Sequence, residues 1–173
     1  MPTLRTWTAG EVVTAAQLNA NVRDTGNFLL APPLASLKQN TAQPFASASW
    51  TAFTFDGLDF DRENGHSITT NNSRYTAKTA GWHLVIGTGY WPSNAAGGRQ
   101  VGLRINGGNI FAKQVVPTVG AGGFNLALTT SAITYLAVGD YIELLGYHTV
   151  GANLNTLIDS EGRSTLQLVR LSN

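Results

Sequence analysis

YTAKTAGWHLVIGTGYW, residues 75–91, reads as a strand that cannot lie in open water on either side. A short extended piece leads into a turn at Thr79-Ala80-Gly81, and a longer run then starts on an aromatic residue. Side chains alternate across a strand at period two, so Trp82, Leu84, Ile86, Thr88 and Tyr90 share one face. His83, Val85, Gly87, Gly89 and Trp91 share the other. Both sets are largely apolar or small. Such a strand belongs at the centre of a packed sheet or at a subunit contact.

Working outward, residues 34–173 show no helical period longer than two turns, only alternating runs cut by Gly, Asn and Pro. Strands are expected at 35–39, 49–55, 74–78, 82–91, 99–106, 110–114, 124–135, 141–148 and 164–171. Asn106-Gly107-Gly108 is a hairpin signal between two of them. Many short strands with turns about every ten residues predict a mainly β chain folded as a β-sandwich. Inward faces are expected to carry Phe53 and Phe55, Val101, Leu103 and Ile105, Ile142 and Leu144, and Leu166 and Leu168.

The run 141–147 departs from simple alternation, because Tyr141, Leu145 and Tyr147 stand opposite Ile142 and Leu144. A covered central strand or a subunit interface explains this, and the interface is preferred because exposed apolar patches mark contacts. Tyr141, Leu145 and Tyr147 are therefore expected at a trimer interface, the symmetry coming from the resemblance described below.

Ahead of the strands lies a different kind of segment. Residues 1–33 are expected to form an extended arm and one helix over 15–30, closed by Pro32-Pro33. Thr14 and Gln17 have capping-box spacing, and Val13 and Leu18 that of a hydrophobic staple. Leu18, Val22, Thr25 and Leu29 form a stripe at spacings of four, three and four. Barely two heptads make no stable coiled coil alone, so the stripe must dock on something. Trp7, Leu18, Val22, Phe28 and Leu29 are the expected anchor, with residues 34–173 as a separate β-sandwich knob.

Composition narrows the function classes. Charged residues make up 12% of the chain, about half the usual share. A net charge of +1 gives no electrostatic footprint for nucleic acid or an acidic membrane. No apolar run approaches the roughly 20 residues of a membrane span. The first residues, MPTLRTWTAGEVV, show no apolar core of a signal peptide. With no cysteine, disulfides and thiolate metal sites are excluded.

Candidate chemistry is sparse. His66, His83 and His148 are scattered, and no nucleophile elbow or paired-histidine motif is present. The run Gly120-Ala121-Gly122-Gly123 lacks the lysine of a phosphate loop and reads as a connection. Asp56, Asp59, Asp61 and Glu63 are the best candidates for a hard cation such as calcium. Asn64 and Thr70 stand where a calcium loop wants glycine and glutamate, so a solvated loop is preferred. Trp50, Tyr90, Trp91 and Tyr147 are candidates for stacking on sugars, though core or interface roles explain the same residues. No catalytic residue, cofactor or resident metal is expected.

In order along the chain, RYTAKTAGWHLV (74–85), RQVGLRINGGNIFAKQ (99–114), LAVGDYIEL (136–144) and STLQLVRL (164–171) resemble strands of the jelly roll shared by tumour necrosis factor and complement globular heads. The resemblance spans roughly residues 35–171 and implies a threefold trimer with apolar faces at the axis. Calcium binding in some complement heads is a further implication for the acidic run. TWTAGEVVTAAQLNANVRDTGNFL (6–29) is similar to a leader on structural proteins of tailed bacteriophages that infect actinobacteria. That likeness implies a non-enzymatic virion protein: a knob on the particle surface, joined to other virion proteins, tail-associated, with host glycan as a partner. A head decoration protein that cements the capsid is the alternative. A carbohydrate-cleaving tail enzyme is a third reading.

Overall fold

The computed structural model describes residues 5–117 and 123–172. Gly120 to Gly122 of the glycine-rich connection lie outside them. In chain order the strands are β1 (Leu34–Lys38), β2 (Pro44–Phe45), β3 (Thr51–Ala52), β4 (Gly57–Asp61), β5 (Arg74–Thr76) and β6 (Gly81–Trp91). They continue with β7 (Arg99–Ile105), β8 (Ile110–Val116), β9 (Leu126–Leu136), β10 (Tyr141–His148), β11 (Leu154–Asn155) and β12 (Thr165–Ser172). Among the described residues, one sheet runs β4-β1-β12-β6-β9, and a second runs β3-β10-β7-β8 with β5 also paired to β10. All the pairings are antiparallel.

The sheets pack face to face because one face of β6 gives way to the other sheet. A Cβ at Gly87 would lie 2.5 Å from Leu144 Cδ1, and one at Gly89 2.7 Å from Phe53 Cζ. Around that contact Val85, Trp91, Leu37, Leu166 and Leu128 meet Val101, Leu103, Ile142, Leu144, Phe45 and Phe53. Trp91 is fully buried, with Phe45 edge-on at a centroid distance of 4.8 Å. Every inward residue expected from the sequence is buried except Ile105, which packs against the core while partly exposed.

The hairpin between β7 and β8 turns on Asn106 (φ 51°) and Gly107 (φ 70°), the left-handed pair that an Asn-Gly turn requires. Two expectations need correcting. The acidic run expected to be a loop contains β4, whose ladder with β1 carries a register shift between Ser36 and Leu37. The expected strand 49–55 pairs only over Thr51–Ala52.

Helical structure covers Ala15–Leu18 (α1), a π-turn over Asn19–Arg23 and Asp24–Leu30 (α2), the span expected. Both bonds of the capping box form: Gln17 N donates to Thr14 Oγ1 and Thr14 N to Gln17 Oε1. In the widened turn Asp24 N reaches back to Asn19 O, and Asn21 Nδ2 donates to Gln17 O, a carbonyl that an α-turn would give to a backbone N–H. No residue of the helical span is buried.

Candidate functional site

The acidic residues do not converge. Asp56 accepts from the backbone of Asn40 at 2.6 Å, which fixes the turn after β1. Asp59 takes Lys38 Nζ at 2.5 Å and Ser36 Oγ at 3.1 Å on the outer face of β1. Asp61 accepts the backbone N–H groups of Glu63 and His66, and Glu63 accepts Thr79 and Tyr75 hydroxyls. Each carboxylate faces a different part of the fold, and no group of three metal-ligating side chains forms among the described residues.

The histidines are spent on the backbone. His66 bridges Arg74 O and Phe55 O at 2.8 and 2.9 Å. His148 Nε2 donates to Phe45 O at 2.9 Å. His83 Nδ1 lies 2.9 Å from Gly81 O. Burial, and secondarily the nearby Arg170 charge, push the His83 imidazole below its ordinary pKa; the Gly81 bond and Glu63 oppose this. Both His83 and His148 are buried.

Of the aromatic candidates, Trp91 and Tyr90 belong to the interior, where Tyr90 Oη donates to Asp159. Trp50 and Tyr147 pair on the outside of the second sheet at 5.3 Å, with Lys113 Nζ 6.0 Å above Trp50.

Of the three residues expected at an interface on β10, Leu145 lies inside its own chain. Leu145 is only 1% exposed, so it has no surface left for another subunit. Gly102 and Ala52 oppose it in the ladder, and Ile110 and Lys113 lean over the space that a Cβ at Gly102 would need. Tyr141 lies under Arg74 at 4.3 Å, and the buried Glu143 is held by Arg104 and Ser73. Leu145 is thus covered within its own chain, while Tyr141 and Tyr147 keep part of their surface exposed.

The uncovered apolar face is on the other sheet. Leu34, Val169, Leu84 and Ile133 line up across β1, β12, β6 and β9 in register. Trp82 and Tyr135 follow at the end, edge to face at 5.7 Å. Trp82 is 46% exposed, Tyr135 48% and Ile133 61%. Beside them lies a groove of about 270 Å³ lined by Phe60, Leu84, Ile86 and Val169. Farther along the same face the rows turn polar: Lys38, Thr165, Thr88 and Thr129 stand side by side. Sequence reasoning found the β6 part of this face in the double-sided run 82–91. It missed Ile133, Tyr135, Phe60 and Val169, although Ile133 and Tyr135 sit two apart on one side of β9, a visible signal.

The arm supplies a second uncovered surface. Leu18 is 48% exposed, Val22 59% and Leu29 73%. Trp7 is held by its own neighbours, with the Arg5 guanidinium 5.1 Å over its ring. Phe28, also expected in the anchor, meets Arg170 of β12 with its ring at 5.2 Å, a contact between the helix and the sandwich.

No protein-family model matches the chain, and no curated protein matches it in sequence. Solved structures do match in fold. A tumour necrosis factor of S. frugiperda, Eiger, is 16% identical with a TM-score of 0.59 over 82% of this chain and 94% of that one. The globular domain of zebrafish complement 1qA is 14% identical, TM-score 0.57, over 82% and 99%. Murine APRIL is 12% identical, TM-score 0.59, over 81% and 99%. The sandwich is a jelly roll of the tumour necrosis factor and complement-head type.

Proposed function

We propose that the chain is a non-enzymatic structural protein of a tailed bacteriophage virion, a trimeric jelly-roll knob on the particle surface anchored by residues 1–33. Its place is the tail, facing the host. The observation that carries the assembly is the uncovered row Leu34, Val169, Leu84 and Ile133 with Trp82 and Tyr135 at its end. Trp82, Ile133 and Tyr135 are the exposed members and Leu34, Leu84 and Val169 are half-buried. Full burial of such side chains from water stabilises by about 1.5–3 kcal/mol each, so the surface gains by closing, chiefly through the exposed three. Three copies around an axis close it by a heterologous contact that forms a ring. The polar rows at the other end of the sheet suit a rim open to solvent. The virion assignment rests on the similarity of residues 6–29 to a phage leader.

Two measurements test the reading. Sedimentation equilibrium should give three times the 18.4 kDa chain mass at micromolar concentration. Immunogold with antibody to the knob, on phage particles from the lysate in which the chain is made, should mark the tail. A monomer removes the assembly, and unlabelled particles remove the virion role. Label on the head would replace the tail knob by a capsid decoration protein.

A further inference from the structure

We propose that residues 15–30 form a three-helix stalk in which Leu18, Val22 and Leu29 of one copy pack against the same residues of two others. The inference rests on the trimer proposed above, and it confines particle binding to the arm ahead of the helix.

The stripe has the composition and spacing of a seam between like helices. In sequence Leu18, Val22, Thr25 and Leu29 follow one another at four, three and four residues, the rhythm of a and d positions, and the π-turn over Asn19–Arg23 widens the stripe between Leu18 and Thr25. No charge stands in that row. The two charges of the helix, Arg23 and Asp24, pair with each other at 2.9 Å, so identical helices meet without repulsion. An acidic or basic partner would find nothing to read there.

The helix also turns this stripe away from its own body. Phe28 takes the contact with Arg170, and the adjacent Leu29 lies about 100° farther round the helix, given 3.6 residues per turn. The chain then passes through Pro32-Pro33 into the open sheet face. Arg170 N donates to Pro33 O at 2.9 Å, and the next residue, Leu34, is opposite Val169 in the half-buried part of the apolar row. The helix therefore starts where the proposed subunit contact ends. Copies joined through that face bring their helices together at high effective concentration, which offsets the short length of the seam.

The absence of cysteine from the chain supplies a clean test. Full-length Val22→Cys and, on the opposite side of the helix, full-length Asn27→Cys are oxidised mildly and run without reductant, and the reduced variants are sedimented alongside. Both positions are exposed, so neither change disturbs packing. A disulfide needs Cα atoms within roughly 7 Å. A stalk joins two Val22→Cys chains and leaves the third free, about tenfold faster than any cross-link in Asn27→Cys, because proximity in a packed seam replaces random collision. A trimer in which Val22→Cys stays uncross-linked overturns the stalk and leaves the knob reading intact. Equal cross-linking at both positions means loose arms that collide and overturns it as well. A monomer overturns both.

Discussion

The buried His83 should make the fold sensitive to mild acid. Its Nδ1 holds Gly81 O, while its Nε2 is buried without a partner among the described residues, across the ladder from Arg170. Burial first, and Arg170 second, lower its pKa in the folded chain below the ordinary 6.5. Well above pH 6.5 the ring is neutral folded or unfolded, and the group contributes no pH dependence. As pH falls below 6.5 the unfolded chain takes up the proton first, so stability declines until the folded pKa is reached. Melting temperature should fall as pH drops from 7 towards 5, and His83→Gln should flatten that segment. Asp59 works in a separate, lower window: the Lys38 hydrogen bond holds its carboxyl below 3.8, and that contribution goes only as pH falls through the folded value. An unchanged slope in His83→Gln would assign the decline to other groups. Gly146 offers a residue-scale test of packing. A Cβ there would sit 2.8 Å from Phe53 Cε2 and 2.9 Å from Phe45 Cε1, inside a fully buried aromatic cluster. Gly146→Ala should cost about 1–3 kcal/mol by overpacking, measured by urea denaturation. A neutral result would mean that the two rings move aside freely.

At the scale of the element, Leu145 of β10 is buried in its own chain while Ile133 of β9 lies open. An aspartate at Leu145 would be buried beneath its own chain, at several kcal/mol if unpaired. Leu145→Asp should therefore unfold the subunit, seen as lost β circular dichroism, instead of yielding a folded monomer. Ile133 is 61% exposed, so Ile133→Asp should keep the fold and dissociate the proposed trimer. A soluble folded Leu145→Asp, or a trimeric Ile133→Asp, would reverse the assignment. The confusion has a physical origin. Periodicity shows that a strand has two apolar faces but says nothing about what lies over each. On β10 the cover is Trp50, Lys113 and Arg74, all distant in sequence or polar by type. Long strands with a regular period were legible almost to the residue, as with β10 itself and the helix with its capping box. β4 was not, because Asp59 and Asp61 read as a solvated cluster while its pairing is supplied by β1 across a register shift. The two-residue pairings of β2 and β11 contain no period to read. The carboxylates were separated by bonds to Lys38, Asn40 and Thr79, which local spacing does not encode.

For the molecule as a whole, the question is how far the knob depends on the arm. The residues of the core cluster all lie at or beyond Ala35, and the helical span contributes none. Its tie to the sandwich through Phe28 and Arg170 is a cation–π contact, a kind worth about 0.5–1 kcal/mol where exposed. For a domain of this size 1 kcal/mol moves the melting temperature by about 2–4 °C. Deleting residues 1–33 should therefore leave a soluble, cooperatively melting β-domain only a few degrees less stable than the full chain. By the proposed function it stays trimeric, because the Leu84–Ile133 face is untouched, and it no longer attaches to particles. Tagged knob and full-length protein, each mixed with particles lacking the chain, pelleted and blotted, separate the possibilities. Equal pelleting would show that the knob carries its own docking surface, and Trp7 and the arm ahead of the helix would lose their role as anchor. Failure of the truncated chain to fold would show that Phe28, by covering Arg170 and the unpartnered Nε2 of His83 across the ladder from it, completes the core at that end. The two failures are told apart by circular dichroism before any particle is added, since the first requires a folded knob and the second forbids one.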